Sequence, residues 1–127
     1  MIQSTVLSKV IISSLLFTVI LVLGLMLSKS GKPYNSILTA GHKLVSLALV
    51  VYLAIFLWGV VKGGDLSAVF YILSFVLLIS IIALFASGAM LTLDKHAILM
   101  QWTHRFATVG FIVSLAIVFY RIASAKF

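Results

Sequence analysis

Residues 66–93 read LSAVFYILSFVLLISIIALFASGAMLTL, and the reading of this stretch decides the fold. A helix needs about 20 mainly apolar residues to cross the hydrocarbon core of a bilayer, and this run exceeds that. A membrane-spanning strand would alternate apolar and polar residues over about ten positions. Here the apolar residues fall on every face, so the run predicts a transmembrane helix.

The same pattern extends in both directions. After residue 93 the turn Asp94-Lys95-His96 leads into a second apolar run from about 97 to 122. Before residue 66 the tight loop Lys62-Gly63-Gly64-Asp65 closes a run from about 36 to 61. The first run, about 6 to 27, ends in Ser28-Lys29-Ser30-Gly31-Lys32-Pro33, where Gly and Pro are the expected punctuation. It contains a basic residue, Lys9, followed by an apolar stretch, as a signal peptide would. It is longer than the usual signal core, though, and no small-residue cleavage site follows it. It is read as a retained helix. Small residues four apart, Gly59 with Gly63 and Ala83 with Ser87, are candidate points of close helix approach. No internal repeat, low-complexity tract or water-soluble domain stands out.

Composition agrees. The 127 residues are 64% hydrophobic and 9% charged, against about 45–50% and about 25% for a soluble domain. The expected fold class is all-α, one integral membrane, up-down-up-down four-helix bundle, because short loops force neighbouring helices to be antiparallel. With no cysteine, disulfides, iron–sulfur clusters and covalent c-type haem attachment are excluded. Nine Lys and Arg face only Asp65 and Asp94, for a net charge of +7. The cations cluster at the ends of the apolar runs. That placement points to lipid phosphates, the bilayer being the first partner, and not to nucleic acid.

Polar residues inside a membrane helix are costly and usually functional. None of the four runs contains Asp or Glu, which argues against transport through a buried carboxylate. What remains is His42-Lys43 in the second run and His104-Arg105 in the fourth. His42 lies about six residues into its helix and His104 about seven, or roughly 9 and 10 Å deep at the helical rise. In the expected bundle these two helices are parallel and diagonal. With axes of neighbours about 8–10 Å apart, the diagonal is roughly 11–14 Å. That gap suits a metal held by an imidazole from each side, and imidazole is a usual axial ligand of haem iron. Lys43 and Arg105 need anionic partners that the chain scarcely supplies, and haem propionates would provide them. Snorkelling to lipid phosphate is the competing reading of both. Ser46 and Thr108, one turn after each histidine, are candidate partners of the site, or hydroxyls that bond back to their own helix. His96, in a turn, is a reserve ligand, as are Met90 and Met100. Trp102 and Tyr34 read as interface-belt aromatics, with a quinone pocket near them as the sharper alternative.

The stretch Gln101-Trp102-Thr103-His104-Arg105-Phe106-Ala107 resembles the His-Arg motif that opens a haem-ligating helix in haem A synthases and other four-helix membrane b-type cytochromes. Gly41-His42-Lys43 resembles its counterpart on the second helix. The resemblance implies iron ligation by the two histidines and one non-covalent haem b, since no second histidine lies deeper in either helix. It also implies electron exchange with quinol or a partner redox subunit, with a homo-oligomer as the alternative assembly. The chain has neither the duplicated bundle nor the acidic residue of the synthases, so an electron carrier or oxidoreductase subunit is expected rather than a self-contained enzyme. The alternatives are a cofactor-free structural or accessory subunit of a larger membrane complex, and a haem sensor or carrier.

The expected topology puts both termini on one side with Lys9, Lys62, Arg121 and Lys126. Lys29, Lys32 and Lys95, with Lys43 and Arg105, belong to the other. If the last two serve propionates, the positive-inside rule leans to cytoplasmic termini.

Overall fold

The computed structural model describes residues 2–64 and 66–124. Asp65 and Lys126, used in the charge and topology arguments above, lie outside the described residues. The described residues are all-α and form four helices: α1 (Ile2–Ser30), α2 (Ser36–Lys62), α3 (Ala68–Thr92) and α4 (Ala97–Ala123). No strand occurs among the described residues. Each helix is long and apolar enough to cross a membrane, and the protein is a multi-pass membrane protein. α1 overruns its apolar run at both ends, α2 and α4 extend one residue further at their C-terminal ends, and α3 falls short of its run at both ends.

The ends have local causes. Asn35 caps α2, its side-chain oxygen accepting from the Ile37 and Leu38 amides at 2.9 and 3.1 Å. Ser67 caps α3 through the Phe70 amide, and both answer amides that the first turn leaves without helical partners. Gly31, at φ +65°, turns the chain after α1, a conformation that glycine adopts without a Cβ penalty. Asp94 and His96 also take positive φ in the turn before α4.

Contacts divide the chain into two compact units, Met1–Gly64 and Asp65–Phe127. Each is a helical hairpin: α1 packs on α2, and α3 packs on α4. Both pairs are antiparallel. In the first, Lys9 meets Phe56 while Gly24 meets His42. In the second, Ser80 meets Gly110 while Gly88 meets His104. The buried apolar set is small: Leu49, Leu53 and Phe56 on α2, Phe70 and Leu77 on α3, and a stripe on α4 that includes Phe111, Leu115, Val118 and Ile122. Large apolar side chains are exposed on all four helices, among them Leu15, Ile55, Phe75 and Phe106. In water each would carry a cost of about 25 cal/mol per Å² of apolar surface. Hydrocarbon removes that cost, and it also removes the hydrophobic drive for helix pairing, leaving close packing and hydrogen bonds to hold the hairpins.

Backbone groups are satisfied within the helices, as lipid requires, and so are most hydroxyls, the buried Ser74 Oγ being without a hydrogen-bond partner among the described residues. Ser13, Ser80 and Ser114 donate to the carbonyls of Lys9, Val76 and Gly110, one turn earlier. Close approach occurs where glycine makes room, although not at the expected Gly59. A Cβ there would meet nothing within 4 Å, and one at Gly63 would meet only carbonyls of its own helix. The tight positions are Gly24 and Gly110, where the partner helix presents the His42 ring and Ser80 Oγ, while Gly88 leaves room for ordinary contact with His104.

Candidate functional site: two matched histidines

Both helices that follow a turn carry their histidine on the packed stripe. Leu49, Leu53 and Phe56 follow His42 at helical spacing, and Phe111, Leu115 and Val118 follow His104 at the same intervals. All six are buried. Each imidazole is therefore aimed along the seam of its hairpin, near the end closed by the short turn. Both are half-buried.

The facing helix is also matched. Gly24 on α1 lies against His42, and a Cβ there would be 3.3 Å from the ring Cε1 and 3.7 Å from Nδ1. Gly88 on α3 lies against His104, with corresponding distances of 3.6 and 3.9 Å. Once the pair is seen in space, a repeat emerges from a sequence that does not display one. Gly24-Leu25-Met26-Leu27-Ser28 corresponds to Gly88-Ala89-Met90-Leu91-Thr92, and His42-Lys43 with Ser46 corresponds to His104-Arg105 with Thr108. The second helices align at a shift of 62 residues and the first helices at 64, the stretch from glycine to histidine being two residues shorter in the second hairpin. This uneven shift, together with apolar substitution almost everywhere else, hides the correspondence from a linear reading.

Each ring is fixed through Nδ1. In the first hairpin the Nδ1 of His42 is 3.1 Å from the carbonyl oxygen of Ile20. A carbonyl can only accept, so Nδ1 carries the hydrogen, and in the neutral imidazole the lone pair is on Nε2. The missing Cβ at Gly24, one turn later, opens that carbonyl to a side chain from α2. In the second hairpin the Nδ1 of His104 is 2.9 Å from Ser87 Oγ. The Ser87 hydroxyl already donates to Ala83 O at 2.6 Å, with Leu84 O at 3.2 Å. It has one hydrogen, so toward the imidazole it accepts. The tautomer is again Nδ1–H.

The other anticipated residues are placed as follows. Ser46 and Thr108 donate to the backbone carbonyls of His42 and His104, at 2.6 and 2.7 Å. Their hydroxyls thus bond back to the helix, and the Nδ1 atoms meet Ile20, which sequence reasoning did not single out, and Ser87, which it marked only as a point of close helix approach. Lys43 and Arg105 are exposed. The Arg105 guanidinium lies 5.6 Å from the centroid of the Trp102 ring, which itself stacks on Phe106 at 5.9 Å. His96 is exposed at the start of α4 and makes no capping bond with its side chain. Met90 and Met100 are partly buried near the turn of the second hairpin. Elsewhere, Lys32 and Lys62 stand over Tyr34 and Trp58, at 5.8 and 5.2 Å from the ring centroids.

No family model, curated protein or solved structure matches the chain.

Proposed function

We propose that this membrane protein carries electrons on one non-covalent b-type haem, with His42 and His104 as its two axial ligands. The observation that supports this reading is the matched pair of imidazoles. Each is held through Nδ1–H against a glycine, with its lone pair on Nε2 and a cation at the next position. Ligand histidines are typically held in this way, with the non-ligating nitrogen bonded to a carbonyl or hydroxyl that fixes the ring and raises its basicity. The residues therefore fit the group. Bound haem supplies reversible one-electron chemistry at iron. The chain's own part is to orient two imidazoles, to exclude water with the apolar stripes beside them, and to offer Lys43 and Arg105 to the propionates. Quinol or a partner redox subunit is the proposed source or acceptor of electrons.

A purified sample from haem-replete cells tests this directly. A red protein with the reduced visible spectrum of six-coordinate haem supports the reading. A colourless protein favours a cofactor-free accessory subunit, in which the same Nδ1 bonds serve only to clamp each hairpin. We further propose cytoplasmic termini. Single cysteines at Ser30 and Ser124 can be labelled with a membrane-impermeant reagent in intact cells, after permeabilising any outer membrane. Labelling at 30 and not at 124 is expected, and the reverse pattern overturns the orientation.

A further inference from the structure

The two hairpins hold their histidines by different means, and the difference lies in one residue. His42 reaches the carbonyl of Ile20 directly, at 3.1 Å. Leu84 is the counterpart of Ile20 in the second hairpin, and its carbonyl, with that of Ala83, faces the hydroxyl of Ser87. Ser87 is only 1% exposed and stands between those carbonyls and the Nδ1 of His104. Its counterpart in the first hairpin is Leu23, which has no hydroxyl to interpose.

We infer that Ser87 is a positioning residue for His104. It converts a backbone carbonyl into a hydroxyl acceptor at the height of the ring, and so selects the Nδ1–H tautomer that presents Nε2 as the ligating atom. The chain Nδ1–H to Ser87 Oγ, and Ser87 Oγ–H to Ala83 O, runs in one direction only. If Nδ1 lost its hydrogen, the hydroxyl would have to abandon a 2.6 Å bond to a carbonyl in order to donate to the ring. That exchange forfeits the hydroxyl's bond to Ala83 O, which opposes it, although the carbonyl keeps the amide of its own helix. The two proposed ligands are consequently unequal. The His42 bond goes to the backbone, whereas the His104 bond depends on a side chain that can be changed.

This inference rests on the haem reading for its purpose, although its chemistry can be measured without haem. The full-length protein with ¹⁵N-labelled histidine, purified without haem in detergent micelles, gives ring-nitrogen shifts that distinguish a protonated from an unprotonated nitrogen. The three histidines are assigned with single His→Gln variants. Wild type is expected to show Nδ1 protonated and Nε2 unprotonated at His104. Ser87→Ala should replace this with a mixture of tautomers at His104 and leave His42 unchanged, and Ser87→Thr, which restores a hydroxyl, should recover the single tautomer. In the haem-loaded protein, Ser87→Ala should raise the midpoint potential, because a ligand whose N–H lacks an acceptor donates less charge to iron, and Ser87→Thr should return it toward wild type. An unchanged His104 tautomer in Ser87→Ala overturns the inference. Wild-type protein that binds no haem but shows the tautomer response defeats the haem reading alone, and leaves Ser87 as the residue that sets the His104 ring.

Discussion

The first and second hairpins are alike where they hold a histidine and unlike at their other ends. Near the turns, glycine, imidazole, cation and hydroxyl recur in the same spatial order. At the opposite end the first hairpin places Lys9 beneath the ring of Phe56, 5.3 Å from its centroid, where the second has Leu73 and Val118 in the corresponding positions. The second is also tighter midway, since a Cβ at Gly110 would be 3.0 Å from Ser80 Oγ. Lipid accepts any apolar side chain on an outward face, so most of each helix is free to diverge. A ring that must be gripped at a defined height is not. The part the two hairpins have in common is therefore the part in which geometry matters.

That equivalence can be broken. The largest effect is expected at the histidines. His42→Ala and His104→Ala should each reduce six-coordinate haem binding by tenfold or more, the scale on which ligand support acts in metal sites. His96→Ala should leave most binding intact. An unchanged spectrum in either hairpin's variant would make the two histidines inequivalent and sink the ligand assignment.

The cations come next. Lys43→Leu and Arg105→Leu should each weaken haem retention, and the double variant should weaken it further, read by competition with apomyoglobin. Arg105 should matter more, since a guanidinium can bind a carboxylate with two parallel hydrogen bonds and an ammonium cannot. Normal retention in the double variant would return both residues to simple snorkelling.

The glycines sharpen the comparison on a smaller scale. Gly24→Ala brings a methyl to 3.3 Å from the His42 ring, whereas Gly88→Ala brings one to 3.6 Å from His104. The first should cost about 1 kcal/mol through overpacking, and the second should stay within about 0.5 kcal/mol. Thermal unfolding in detergent measures both. Equal losses would mean that the two rings are gripped equally hard. The smallest effect is expected from Leu23→Ser, which gives the first hairpin the hydroxyl of the second. A gain or loss of no more than about 0.6 kcal/mol is expected, the average for a hydrogen bond between membrane helices, because His42 already has the Ile20 carbonyl.

Much of this was legible in the chain. Four long, mainly apolar runs with Gly, Pro and charged residues between them specify four membrane helices, because only a helix satisfies its own backbone in hydrocarbon. The same logic singled out His42 and His104: in so apolar a sequence, a polar side chain within a helix needs a reason. The partners of those rings were not legible. The small-residue spacing marked Ser87 as a point of helix approach, but as a ring partner nothing distinguishes it from Ser13 or Ser80, since each hydroxyl donates to its own helix. A backbone carbonyl such as that of Ile20 has no sequence signature at all. Ser46 and Thr108 had the right spacing from the histidines, but a hydroxyl one turn after a residue on the same helix reaches its carbonyl before its side chain.

The sequence by itself thus determined the number, length and apolar character of the helices, and which few side chains were candidates for chemistry. Helix formation in lipid is a local matter, set by backbone hydrogen bonds and transfer of side chains from water. The tertiary structure decided which glycine faces which imidazole, which nitrogen carries the proton, and that one hairpin uses a carbonyl where the other uses Ser87. Those choices depend on the register of one helix against another, and register is fixed by close contacts between residues far apart in the chain.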